Sequence, residues 1–286
     1  MEIIVGKTAG FCYGVKNAVD KATAEIEKNE MVCCLGEIVH NSKVVKELED
    51  KGMVFIDDLS ENKERNKTII RAHGVPKEIY TKAEQEGIEL VDLTCPKVLK
   101  IHKIVSEYAE KGYFIFLIGN KIHPETLGTA SYCGDNSYVI EQEDDITDAI
   151  NKLNESSKEN LLVVVQTTFS MEKFDKYIDY IKSNISESIN LEVINTICNA
   201  TKIRQEETEE MSKQVDYMII IGGKNSSNTK KLYEISCQNC AKVICIEDKS
   251  EINLSELEGV NKAGIMAGAS TPQKSVDEVV ELLKNT

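Results

Sequence analysis

Among 286 residues there is no apolar run of about 18, the length a membrane-spanning helix needs. No spanning segment is expected, and no membrane partner. The stretch Met1–Lys7 lacks the basic start, apolar core and small-residue cleavage site of a secretory signal, so a cytoplasmic protein is expected. Positive charge is short: the formal net charge is −14. Duplex nucleic acid and acidic membranes need basic faces, so neither is an expected partner. A small anionic substrate is still admissible, because a few local donors can hold one. Arginine is scarce, and there are only four histidines. No Pro/Gly/Ser-rich linker and no low-complexity tract occurs, so domain boundaries should be tight. The length suits one or two domains.

Cysteine, by contrast, is plentiful at nine. A reducing compartment disfavours disulfides, and an odd count fits a paired framework poorly. Metal ligation, redox chemistry and core burial are left as uses.

An internal repeat organises the cysteines. Cys12, Cys95 and Cys198 each follow an apolar strand and precede a helix, as in Asp92-Leu-Thr-Cys95-Pro and Asn195-Thr-Ile-Cys198-Asn. Gly36, Gly119 and Gly222 each lie 24 residues after their cysteine. His40, His123 and Ser226 share the offset 28, and Ser42, Glu125 and Asn228 the offset 30. Thr167 and Ser270 share an offset of 72, and a matching strand in the shorter first unit ends in Arg71-Ala72-His73.

Each unit reads alike. A helix with apolar spacing of three and four follows the cysteine (Val15, Ala18, Val19, Ala22 and Ile26; Val98, Ile101, Val105 and Tyr108). Then come the nearly continuous apolar strands Met31–Leu35, Phe114–Ile118 and Met218–Ile221. Such alternation predicts parallel α/β layers, with ligands collecting beyond the carboxyl ends of the strands. The expected architecture is three pseudo-symmetric α/β units with mainly parallel sheets, arranged so that the three cysteines face a common centre. The units would span residues 13–95, 96–194 and 195–286, the last completed by the N-terminal segment 1–12. A final helix is predicted over Ser275–Leu283.

Free cysteine packs readily in cores, which accounts for Cys33, Cys34, Cys133 and Cys245. Cys237 and Cys240 form a C-x-x-C pair without the second pair of a zinc ribbon. Cys12, Cys95 and Cys198 differ, because repeat-equivalent thiols at helix starts are stabilised as thiolates. Three thiolates suit a three-cysteine zinc site or an iron–sulfur cluster with one open iron. Their wide separation in sequence favours the cluster. His40, His73 and His123 fall just beyond strand ends, where converging imidazoles suit a diphosphate. The segment Gly222–Thr229, with Ser226, Ser227 and Asn228, reads as an anion nest. Ser270 and Thr167 add hydroxyls. Glu125 is the one carboxylate at a repeat-equivalent rim position, a proton donor if partly desolvated and otherwise a surface charge. His102, seven residues beyond Cys95, reads as structural.

In order along the chain stand Gly10-Phe-Cys12-Tyr-Gly-Val, Ile38-Val-His40-Asn, Arg71-Ala-His73-Gly-Val and Thr94-Cys95-Pro. They continue with His123-Pro-Glu125, Gln166-Thr167-Thr168, Thr196-Ile-Cys198-Asn-Ala-Thr, Asn225-Ser226-Ser227-Asn228 and Ala267-Gly-Ala-Ser270-Thr-Pro. Through them the chain resembles the IspH/LytB family, the hydroxymethylbutenyl diphosphate reductases, nearly end to end. One departure is Ile122, where the family often has glycine.

The resemblance implies one 4Fe-4S cluster held by Cys12, Cys95 and Cys198, its open iron binding the hydroxyl of an allylic diphosphate. His40, His73, His123, Ser226, Ser227, Asn228 and Ser270 would hold the diphosphate, while Glu125 and Thr167 relay protons. Two electrons and two protons would release water and give isopentenyl and dimethylallyl diphosphate. The electron donor implied is a ferredoxin or flavodoxin. Two rivals are a non-redox iron–sulfur lyase of the quinolinate-synthase kind and a metal-free phosphate sensor. Scarce arginine speaks against the lyase's dicarboxylate substrate.

Overall fold

The structure, a computed structural model, describes residues 1–28, 31–64 and 66–285. Strand β1 (Glu2–Val5) leads to helix α1 (Tyr13–Ile26). There follow β2 (Val32–Leu35), α2 (Ser42–Asp50), β3 (Met53–Ile56), β4 (Lys67–Ile70), α3 (Lys77–Glu86) and β5 (Leu90–Asp92). The pattern recurs as α4 (Pro96–Glu110), β6 (Phe114–Ile118), α5 (Pro124–Ala130), β7 (Ser137–Ile140), α6 (Asp144–Glu155), β8 (Asn160–Val165), α7 (Met171–Asn184) and β9 (Asn190–Val193). It ends with α8 (Asn199–Ser212), β10 (Tyr217–Ile221), α9 (Ser227–Asn239), β11 (Val243–Ile246), β12 (Lys262–Ala267) and α10 (Gln273–Lys284).

Three four-stranded sheets result, ordered β3-β2-β4-β5, β7-β6-β8-β9 and β11-β10-β12-β1. The order is the same each time, with β1 standing where β5 and β9 stand in the other two. It pairs parallel with β12 from Glu2 opposite Lys262 to Val5 opposite Ile265. The central pairs β2–β4, β6–β8 and β10–β12 are parallel as well. By internal contacts the chain divides into two compact units. One is Met1–Thr23, Val39–Met53 and Asn199–Thr286; the other is Ala24–Ile38 and Val54–Cys198.

Strands β2, β6 and β10 are buried along their whole length because both faces are covered. Phe114, Phe116 and Ile118 enter one cluster with Ile146, Phe174 and Ile181. Their alternates Ile115 and Leu117 enter another with Ile101 and Val105 of α4. This period of two is that of a pleated strand. In the sheet closed by β1, Ile219 and Ile221 pack with Val276 and Val279 of α10, and Met218 and Ile220 with Met211 and Leu232. Each fully buried side chain of this size contributes about 1.5–3 kcal/mol. The last helix starts two residues earlier than predicted, because Pro272 at its N-cap has a fixed φ and lacks the N–H a helix start leaves unpaired. Among the described residues no helix is long and apolar enough to cross a membrane.

Candidate active site

Backbone hydrogen bonds give the register of the strand ends. Cys12 N–H donates to Ala269 O at 3.1 Å, Cys95 N–H to Ala72 O at 2.9 Å and Cys198 N–H to Thr167 O at 3.0 Å. Ala72, Thr167 and Ala269 are therefore equivalent, and the next residues, His73, Thr168 and Ser270, form the following row. The shared offset of 72 put Thr167 opposite Ser270, and the structure moves that match by one residue. Ile118 pairs with Val165 and Ile221 with Ala267, so one residue more separates cysteine from strand end in the second repeat. Counting along the chain misses this, because ladder hydrogen bonds set register whatever the loop length.

A second one-residue slip occurs at the helix starts. His123 and Ser226 are the N-caps of α5 and α9, but the cap of α2 is Asn41, one beyond His40. Asn41 Oδ1 accepts from Val44 N–H at 3.3 Å and Ser226 Oγ from Thr229 N–H at 3.3 Å. In the same role His123 Nδ1 accepts from Glu125 N–H at 3.1 Å. A nitrogen that accepts carries no proton, so the neutral ring of His123 bears its hydrogen on Nε2 and offers it as a donor.

In the unit Ala24–Ile38 and Val54–Cys198, Glu125 is 2 % exposed. Its Oε1 accepts from Thr167 N–H at 2.6 Å, and its Oε2 lies 2.6 Å from Thr167 Oγ1. Burial pushes the carboxyl above its ordinary range, and the two Thr167 hydrogen bonds only partly oppose that. The surface-charge alternative is thereby excluded. When Glu125 is protonated on Oε2, it donates to Thr167 Oγ1, and the hydroxyl hydrogen is released to point onward. His73, half-buried, meets the ring of His123 edge-on with centroids 5.3 Å apart. His102 is buried, stacks on Tyr132 at 4.5 Å, and is pushed down to about 4 by desolvation, which marks it as a neutral packing residue.

In the other unit, Ser270 Oγ donates to His40 O at 3.1 Å. Gly223 passes so close that an added Cβ would lie 2.5 Å from the same carbonyl. Glycine is required there, and it brings the start of α9 beside His40. Asn228, in the first turn of α9, is 3 % exposed, yet neither its Oδ1 nor its Nδ2 has a protein partner. Burying an amide unpaired costs roughly 1–3 kcal/mol, so this side chain points to a ligand. The start of helix α9 lies beside it, an arrangement suited to an anion.

The nine cysteines sort by environment. Cys33, Cys34, Cys133 and Cys240 are buried. Burial pushes Cys34 and Cys133 up to about 12, which makes them inert packing thiols. Cys240 Sγ donates to Val215 O and Lys242 O, and its C-x-x-C companion Cys237 is exposed. Cys245, expected in the core, is half-buried within β11 with its thiol pushed up by burial, whereas Cys12, Cys95 and Cys198 are half-buried and each stands directly before a long helix. Thiols at three repeat-equivalent strand-to-helix junctions, none of them buried, fit a metal cluster. Asn41 and Thr168 escaped the sequence reading. A tally of helix caps would have found the first. The second needed the ladder register.

A parallel α/β protein carrying a sealed carboxylic acid, capped helix starts and three half-exposed thiols at its strand ends is an enzyme of the open-sheet class. The chain belongs to the LytB family: the family model described as LytB protein matches residues 3–284. A 4-hydroxy-3-methylbut-2-enyl diphosphate reductase of Caldanaerobacter subterraneus subsp. tengcongensis is 41 % identical over 293 residues, covering 100 % of this chain and 97 % of the relative. The enzyme of the same name from Clostridioides difficile is 38 % identical and is covered in full, as is this chain. Among solved structures, the E-1-hydroxy-2-methyl-but-2-enyl-4-diphosphate reductase of Plasmodium falciparum superposes with a TM-score of 0.91 at 30 % identity, covering 99 % of this chain and 88 % of that one. A second, titled as (E)-4-hydroxy-3-methyl-but-2-enyl diphosphate reductase, the terminal enzyme of the non-mevalonate pathway, gives 0.72 at 37 % identity with both chains fully covered. Nothing in the site or among these relatives supports the lyase alternative.

Proposed function

We propose that this chain reduces 4-hydroxy-3-methylbut-2-enyl diphosphate to isopentenyl and dimethylallyl diphosphate in the cytoplasm, the last step of the non-mevalonate route. Cys12, Cys95 and Cys198 would hold a single 4Fe-4S cluster with one open iron. When bound, it would supply a Lewis acid for the substrate hydroxyl and a path for electrons from a ferredoxin or flavodoxin. The half-exposure of these three thiols at helix starts supports the assignment. The repeat supports the partition into units 13–95, 96–194 and 195–286 with 1–12.

The chain's own residues bind, orient and protonate. Asn228, Ser226, Ser227 and the α9 amides hold one part of the diphosphate, and Ser270 and His40 lie on the same compact unit. His123 donates from Nε2, and His73 adds a second imidazole. Charge-assisted hydrogen bonds to phosphate oxygens are worth about 1.5–3 kcal/mol each. The leaving hydroxyl must take a proton inside a pocket closed to bulk water. Burial strengthens the hold of Glu125 on its proton, and Thr167 Oγ1 would pass that proton on. The reaction balances as substrate plus two electrons and two protons, giving either product plus water. One C–O bond breaks, and a C–H bond forms at either end of the allyl group.

The observation that carries this reading is the sealed Glu125 carboxyl, bound through both oxygens to Thr167. The test is turnover of the diphosphate by anaerobically purified, iron-loaded protein with reduced viologen. Both isopentenyl and dimethylallyl diphosphate should form. Iron-loaded protein that binds the substrate yet releases neither product would sink the proposal.

A further inference from the structure

The unit containing β1 carries a cavity of about 620 Å³ that the chemistry above does not use. Ala9, Phe11, Ala200 and Ile203 line it, together with Cys12 and the lysines Lys7 and Lys16. No acidic residue lines it, although acids outnumber bases 48 to 34 in the whole chain. Both lysines are exposed. Lys16 pairs with Asp20 at 2.5 Å, but that pair is more than half exposed on both sides, and Lys7 makes no ion pair among the described residues.

The wall is firmly built. Arg204, 3 % exposed, donates to Thr8 O at 3.0 and 2.6 Å and to Gly10 O at 2.8 Å. Glu207 accepts from Lys7 N–H at 2.6 Å and Thr8 N–H at 3.0 Å. The segment that ends in Cys12 is thereby held from below. Asn199, which also lines the cavity, directly follows Cys198 in the chain.

We propose that this cavity is the docking face for a flavodoxin-class electron carrier, whose acidic rim meets Lys7 and Lys16 while the apolar edge of its flavin enters beside Cys12. The proposal rests on the reductase reading. Three features select this occupant. A lining with two exposed lysines and no acid, on a net-negative protein, complements an acidic surface, and such pairs steer encounter. An apolar hollow suits a projecting planar ring, which a flavin edge provides and a ferredoxin, with its cluster beneath a backbone loop, does not. Cys12 in the lining brings the ring beside a thiol assigned to the cluster. Two carrier hydroquinones each lose one electron and become semiquinones. These two electrons, with two protons, break the substrate C–O bond, and the oxygen leaves as water.

The experiment uses the iron-loaded enzyme and three variants: Lys7→Glu/Lys16→Glu, Ile203→Asp, and Lys152→Glu on α6 as control. Flavodoxin binding is measured by calorimetry at low salt. KM for reduced flavodoxin and the rate with reduced viologen are measured in parallel. The double lysine variant should weaken flavodoxin binding and raise its KM at least about tenfold. Ile203→Asp should do so severalfold, and the control should do neither, while viologen-driven rates stay within about twofold. Unchanged flavodoxin binding and KM in both test variants would overturn the proposal. So would an equal fall in the viologen-driven rate. Wild-type enzyme that turns over nothing with viologen defeats the reductase reading instead, and the calorimetric comparison still decides the docking face.

Discussion

Thr167 engages both carboxyl oxygens of Glu125, its N–H at 2.6 Å from Oε1 and its Oγ1 at 2.6 Å from Oε2. One residue thus supplies a fixed amide and a rotatable hydroxyl to a carboxyl whose pKa burial raises. Glu125→Gln preserves the shape and removes the proton. It should keep substrate affinity and lose about 10²–10⁴-fold in turnover, the usual worth of a general acid. Single-turnover assays with excess reductant check this, and a near wild-type rate would move the proton source elsewhere.

The same burial sets a pH dependence. The folded carboxyl holds its proton to higher pH than the unfolded one. Its stabilising contribution is therefore complete below the ordinary carboxylate pKa and is lost as pH rises through the raised folded value. As pH rises above the ordinary carboxylate range the wild type should lose denaturant resistance relative to Glu125→Gln. Equal slopes in the two proteins would show that the acid titrates normally.

Asn228 tests the anion site on its own compact unit. Its buried amide has no protein partner, so Asn228→Ala should cost little stability while weakening inorganic diphosphate binding by about 10–100-fold, equivalent to 1.5–3 kcal/mol. His40→Asn and His73→Asn should weaken it too without releasing iron. Calorimetry with inorganic diphosphate distinguishes these outcomes from a folding defect.

His123 has two separable duties, capping α5 through Nδ1 and donating through Nε2. Asparagine is a strong N-cap, so His123→Asn should keep the melting transition near that of wild type, while His123→Ala costs about 0.5–2 kcal/mol. Both should lose diphosphate affinity. If alanine and asparagine melt alike, the imidazole contributes nothing as a cap.

Serine at Cys12, Cys95 or Cys198 should abolish most iron content and cluster absorbance, whereas Cys33→Ser and Cys240→Ser keep them. Iron analysis of anaerobically reconstituted protein decides. Iron loss on replacing Cys237 or Cys240 would reassign the ligands.

The central strand of each sheet, the helices after each cysteine and the burial of Cys33, Cys34 and Cys133 were legible in the linear chain. Apolar runs such as Phe114–Ile118 and three-and-four spacing such as Val98, Ile101 and Val105 are local consequences of what must be buried. The repeat then brought Cys12, Cys95 and Cys198 into one class, and the motifs named the family. Tertiary structure alone decided the register and the environments. Thr168, not Thr167, shares the row of Ser270, because ladder hydrogen bonds and not residue counts align strand ends. Glu125 became an acid rather than a surface charge only through burial against Thr167, a partner 42 residues away. Its protonation depends on water removed by the whole fold, and no local pattern records that.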